Sequence, residues 1–172
     1  MSAPIKIVDT NIVLVANGQH QDASCDCVQA CTLALQAIME KGRIAIDDGF
    51  EILAEYQNKT TPHRGKRAGD IFVKWVLRNN CNAQRCDSVH LKKSSAGKYE
   101  NFPNDPELLN FDDPDKKFVA VALGHSQHPP ILQGTDCKWL DWEEALKRHG
   151  VAIDFICLAD ILKFHKKKFP AA

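Results

Sequence analysis

Residues 5–9 read Ile-Lys-Ile-Val-Asp (IKIVD), and the rest of the fold follows from how this stretch is taken. A β-branched run, IKIV, is closed by an acid, which is the signature of a short buried strand ending at Asp9. Working outward, residues 24–40 place Val28, Cys31, Leu35, Ile38 and Met39 at three- and four-residue steps, a helical face. Lys41-Gly42 closes that helix, and RIAI at 43–46 is a second strand. Asp48 and Glu51 form a D-x-x-E capping box for a helix carrying Phe50, Leu53 and Tyr56. The polar stretch 57–68 reads as a loop, and 69–79 as a helix with Ile71, Phe72, Trp75 and Val76 on its inner face. A strand is predicted over 88–92, followed by a Pro- and acid-rich loop over 99–110. Asp113 then caps a helix with Pro114 at its first position, ending at Gly124. Strands at 130–133 and 151–157 flank an amphipathic helix at 139–149.

Strands alternating with helices predict an α/β fold: a three-layer α/β/α sandwich around a central, mostly parallel sheet with right-handed crossovers. The 172 residues suit one domain, assigned to 1–160, with a basic tail at 161–172. The hydrophobic fraction of 44% excludes wholesale disorder. Twenty-two basic against 22 acidic residues give zero net charge, which excludes a uniformly basic nucleic-acid coat. The acids and bases are segregated, however. Residues 99–115 hold six acids and no Lys or Arg, whereas 63–67 and 163–168 are basic. No signal-peptide or membrane-length apolar run is present, so the seven cysteines are expected to be reduced thiols in a cytoplasmic protein without membrane contact. Cys25, Cys27 and Cys31 lack usual zinc spacing, and Cys81, Cys86 and His90 lack a clear fourth ligand. No P-loop, G-x-G-x-x-G or G-x-S-x-G occurs.

In open α/β sheets ligands bind beyond the carboxyl ends of the strands. The acids placed there are Asp9 after the first strand, Glu55 in the helix after the second, Asp115 in the first turn of the helix at 113–123, and Asp136 after the strand at 130–133. If the first and fourth strands are neighbours, Asp9 and Asp136 meet. Converging carboxylates repel one another, and a hard divalent cation relieves that repulsion. Each acid also has a plain structural role open to it: Asp115 as a first-turn dipole partner, Glu55 as a solvated helix residue, Asp136 as a cap.

The ordered set resembles the PIN-domain nucleases over residues 5 to about 157. The matching motifs are IVDTNIVLVANG with Asp9, DDGFEILAEYQ with Glu55, DDPDKKFVAVAL with Asp115, and ILQGTDCKWL with Asp136. The resemblance implies metal-dependent cleavage of RNA, less often DNA, with Mg²⁺ or Mn²⁺ held by Asp9, Asp115 and Asp136 and completed by Glu55. Thr10, Asn11 and Thr135 would shape the turns. Lys116, Lys117, Arg64, Lys66 and Arg67 are the candidate nucleic-acid-binding residues, with Lys92, Lys93 and Lys163–Lys168 as further basic clusters. Trp139 and Trp142 are candidates for stacking a base or for the core.

Two departures stand out: Lys138 occupies a position where many members carry another acid, and Asp112 and Asp113 compete with Asp115. The family also implies a toxin or defence effector restrained by an antitoxin, and homodimers. The alternative is a catalytically degenerate PIN-like module that binds nucleic acid or protein. A phosphotransfer enzyme is a third class, but haloacid-dehalogenase-like enzymes need a second aspartate where Asn11 stands.

Overall fold

In the computed structural model, which describes residues 3–171, IKIV forms strand β1 (Ile5–Val8), with Ile7 and Val8 almost wholly buried. The other strands are β2 (Arg43–Asp47), β3 (Cys86–Val89), β4 (Ile131–Gln133) and β5 (Ile153–Phe155). They form one parallel sheet in the order β3-β2-β1-β4-β5. The fold is thus α/β with a five-stranded, all-parallel sheet, in keeping with a three-layer α/β/α sandwich. The helices are α1 (Thr10–Ala16), α2 (Cys25–Lys41), α3 (Glu51–Lys59), α4 (Ala68–Asn79), α5 (Lys116–Gly124), α6 (Trp139–Arg148) and α7 (Leu158–Lys168). Right-handed crossovers put α1–α4 on one face of the sheet and α5 and α6 on the other.

Several boundaries differ from the sequence reading. The third strand is Cys86–Val89 rather than 88–92, because its register pairs Cys86 with Ile44 and Val89 with Asp47. The D-x-x-E capping box is not formed. Asp47 supplies the cap instead, accepting from Glu51 N at 2.7 Å and Ile52 N at 2.9 Å, while Asp48 binds His90. Ile71 is exposed, and α4 packs through Phe72, Val73 and Val76. Asp113–Asp115 is a 3₁₀ turn leading into α5, not part of the α-helix. The segment read as a basic tail is helical to Lys168 and buries Ile161 completely.

Two further findings tie distant segments together. Cys27 and Cys157 form a disulfide across 130 residues, joining α2 to the start of α7, which corrects the expectation of seven reduced thiols. Ser24, which caps α2, also binds Asp160 of α7 through both its N and Oγ. Phe111 packs against Trp139 and Trp142, with Phe102 against Phe111 in turn, so both tryptophans belong to the core. Cys81, Cys86 and His90 do not gather into a ligand set: Cys81 is exposed, Cys86 is buried in β3 and His90 binds Asp48.

Helices α1 and α4 approach so closely at Gly69 that a Cβ there would lie 2.3 Å from the Val13 carbonyl oxygen. Beside it, Asn17 donates to Asp70 and accepts from the Asp70 backbone N, both at 3.0 Å. Gly69→Ala is expected to destabilise the protein by about 1–3 kcal/mol, read as a lower midpoint in urea. An unchanged midpoint would show that the helices separate without cost.

Candidate metal centre

Strand β1 lies directly beside β4, pairing Ile7 with Ile131 and Val8 with Leu132. The chain winds outward in opposite directions from these two strands, so the crevice beyond their carboxyl ends is the topological switch point. The pairing continues one residue further, with Asp9 N donating to Leu132 O at 3.1 Å. Asp9 caps α1, its Oδ1 accepting from Asn11 N at 2.7 Å, which fixes a nearly buried carboxylate at the strand end.

Asn11 carries the geometry across to β4. Its Oδ1 accepts from Thr135 N at 2.5 Å and Thr135 Oγ1 at 2.9 Å, locking the turn that presents Asp136. Gly134 makes this possible, since a Cβ would sit 2.5 Å from Asn11 Oδ1. Of the two residues expected to shape the first turn, Asn11 does so. The Thr10 hydroxyl is buried and makes no protein hydrogen bond. Asp136 Oδ1 accepts from Lys138 N at 3.1 Å, capping the turn into α6.

Glu55 arrives from α3. The Tyr56 hydroxyl donates to the Val8 carbonyl oxygen, pinning α3 over the end of β1 and turning Glu55 toward Asp9. Asp115 and Asp112 come from the turn before α5. One oxygen each of Asp112, Asp115 and Asp136 lies within 4.8 Å of the others. Opposite ligands of a hard cation such as Mg²⁺ are about 4.2 Å apart, so small side-chain rotations complete such a site. Asp113 points away, pairing with Lys116 at 2.5 Å with its side chain 87% exposed. The triad that converges therefore contains Asp112, whereas Asp9, expected as a ligand, is not among the three and has one oxygen committed to its cap.

The charges are uneven. Five carboxylates, Asp9, Glu55, Asp112, Asp115 and Asp136, meet two ammonium groups. Lys117 is buried and donates to Glu55 and to the Pro114 carbonyl oxygen. Lys138 binds Asp112 at 2.6 Å. Burial first, and then Asp115, Asp136 and Glu55, push the Asp9 carboxyl well above its ordinary value, against the opposing Asn11 hydrogen bond. Burial and Asp136 lead in raising Asp115 to about 6, against the lowering by Lys117. An oxygen-only donor set with excess negative charge fits a hard divalent cation such as Mg²⁺ or Mn²⁺.

This electrostatics has a testable sign. Asp9 and Asp115 hold protons more readily in the folded chain than in the unfolded one. The folded state therefore binds more protons than the unfolded chain above the ordinary carboxylate range, up to about pH 6 for Asp115. The Asp115 part of this repulsion is fully present above pH 7 and is relieved as pH falls toward 5. In EDTA, the wild-type melting temperature is expected to gain on that of Asp115→Asn between pH 7.5 and 5.5. Parallel profiles for the two proteins would contradict it.

The basic candidates divide. Lys117 is buried against Glu55 rather than presented to phosphate as expected, while Lys116 pairs with the exposed Asp113 and has its Nζ over the Phe102 ring. Arg64, Lys66 and Arg67 are exposed; Lys66 and Arg67 line a separate hollow with Gln19 and Asp70. Lys167 and Lys168, from the supposed tail, line a cleft of about 500 Å³ together with Asp136. Asp112 was signalled by its i, i+3 spacing to Asp115, but the placing of Lys167, Lys168 and Lys138 depends on tertiary packing.

Comparison with known protein families, with curated proteins and with solved structures finds no match to this chain.

Proposed function

We propose that the acidic end of this protein binds Mg²⁺ or Mn²⁺ and hydrolyses phosphodiester bonds, with RNA as the substrate, in the manner of a PIN-like nuclease. The observation that carries the reading is the convergence of Asp112, Asp115 and Asp136 at the switch point, with Asp9 and Glu55 near them. When bound, the divalent cation supplies acidification of a water and compensation of charge on the leaving oxygen.

The chain's own part is positional. Asp112, Asp115 and Asp136 would supply the ligand oxygens, with Asp9 adding negative charge next to them. Lys117 fixes one oxygen of Glu55, leaving the other to accept a hydrogen bond from the attacking water. Lys138 moderates the charge on Asp112, so that an anionic backbone can approach. Restraint by a regulatory protein such as an antitoxin belongs to the same proposal; action in the cytoplasm was expected from reduced thiols, and the Cys27–Cys157 disulfide weighs against it. Among the described residues no helix is long and apolar enough to cross a membrane.

A second reading draws on Lys138 and Lys117. Ammonium groups already sit against Asp112 and Glu55, as they would in a degenerate module that binds nucleic acid or protein without cutting it. Purified protein incubated with single-stranded RNA in Mn²⁺ or in EDTA separates the two. Under the nuclease reading cleavage needs the cation and falls at least about a hundredfold in Asp9→Asn. Equal cutting by wild type and Asp9→Asn, or no cutting in Mn²⁺, overturns it. A single-stranded DNA arm of the same assay sets the preferred sugar.

A further inference from the structure

The cleft beside Asp136 shares that residue and Thr135 with the acidic centre, and its far wall is α7. Four α7 or α7-facing side chains define it. Lys167 and Lys168 are exposed, with Lys168 Nζ 5.7 Å from the centroid of the Phe169 ring, and neither pairs with a carboxylate among the described residues, in contrast to Lys116, Lys117 and Lys138. The Phe164 ring stacks on His20 with centroids 5.4 Å apart and both partly exposed, giving an aromatic surface next to the two cations. The volume, about 500 Å³, falls within the range of about 300–1,000 Å³ usual for small-ligand sites.

From this juxtaposition we infer that the cleft is the subsite for the nucleotide next to the scissile phosphate: Lys167 and Lys168 take the neighbouring backbone phosphate and the Phe164–His20 pair takes the base face. The inference rests on the nuclease reading and adds to it the path of the strand. Unpaired cations beside an aromatic surface are what a single strand requires, because phosphates supply affinity and every base offers a π-face. A duplex would keep its bases stacked inside and leave the aromatic pair unused. The other basic cluster, at Lys66 and Arg67, shares no lining residue with this cleft.

The α7 wall is held in place independently of any substrate. The Cys27–Cys157 disulfide and the Ser24–Asp160 hydrogen bonds fasten its first turns to α2, and His165 binds Asp141 of α6 at 2.7 Å. The lysines therefore sit on the last turn of an anchored helix rather than on a free tail.

The test uses the full chain with Asp9→Asn, so that a fluorescent single-stranded oligoribonucleotide stays intact in Mg²⁺ while its binding is followed by anisotropy. In that background Lys167→Ala/Lys168→Ala is expected to weaken binding about tenfold and to flatten the slope of log K against log salt by about 1.4, the value for two lost single-strand contacts. Lys41→Ala/Lys147→Ala, at two exposed lysines that line neither the cleft nor the acidic centre, is the control and is expected to change binding less than twofold. An abasic position moved along the strand is expected to cost about tenfold at one place, and Phe164→Ala to erase that difference. Unchanged affinity and slope in the α7 double variant, or an equal loss in the control, overturns the subsite. If the chain with Asp9 intact still cleaves RNA in Mn²⁺, only the subsite has failed. If it neither cleaves nor binds, the nuclease reading and the subsite fall together.

Discussion

Asp115→Asn is expected to make the metal-free protein more stable and to abolish its cleavage. Asp115 stands among Asp112, Asp136 and Glu55, and its carboxyl is raised to about 6 by burial and by Asp136. Removing the charge at pH 7.5 removes a repulsion that the fold otherwise sustains, a gain of about 1–2 kcal/mol after allowance for partial solvent screening. The same change removes one oxygen from the converging triad, and the rate is expected to fall about a thousandfold or more, since charge compensation at such centres contributes several kcal/mol. The pairing of opposite effects is the diagnostic feature. A carboxylate with a purely structural role is expected to do the reverse, lowering stability when neutralised. Thermal melts in EDTA and cleavage assays in Mn²⁺ on one preparation read both.

The second large effect concerns the disulfide. Cys157→Ala, or reduction of the wild type, is expected to lower stability by about 2–5 kcal/mol, because the bridge closes a loop of 130 residues. Cys31 lies 3.6 Å from the Cys157 sulfur and could in principle exchange with the bridge. Burial, with Asp160 adding to it, pushes the Cys31 thiol up to about 12, so the attacking thiolate is scarce and exchange is expected to be slow. Urea melts with and without a thiol reductant measure the bridge, and Cys157→Ala should be indifferent to the reductant. A wild type equally indifferent would show that the bridge contributes nothing.

The parts of the fold set by local pattern were legible. IKIV and RIAI are strands because β-branched runs bounded by acids or glycine leave little else, and α2 follows from its apolar spacing and Ser24. What depends on distant partners was not. Helix α1 has the composition of a strand, Thr-Asn-Ile-Val-Leu-Val-Ala, and is helical because Asp9 caps it and its apolar side chains are buried against α2 and α4. Helix α7 hides its one buried position, Ile161, in a run of lysines. The α3 cap moved from Asp48 to Asp47 because His90, the residue after β3, takes Asp48.

The candidate site divides in the same way. Asp9 and Asp136 follow strands, so the parallel sheet order was enough to bring them near each other. Asp112 enters the triad, and Lys117 leaves the list of phosphate contacts, through ion pairs with Lys138 and Glu55 that lie 26 and 62 residues away. No periodicity reports such pairs. Cys27 likewise finds its partner 130 residues on, which the C-x-C-x₃-C spacing does not announce.

The central claim is that this carboxylate cluster holds a hard divalent cation, and calorimetric titration of the metal-free protein with Mn²⁺ at pH 7.5 tests it most directly. Saturable binding is expected in wild type, accompanied by a higher melting temperature, and both are expected to be lost in Asp115→Asn and Asp136→Asn. Absence of binding heat with an unmoved melting temperature in wild type would contradict the account, leaving Lys117 and Lys138 as the only cations the cluster needs.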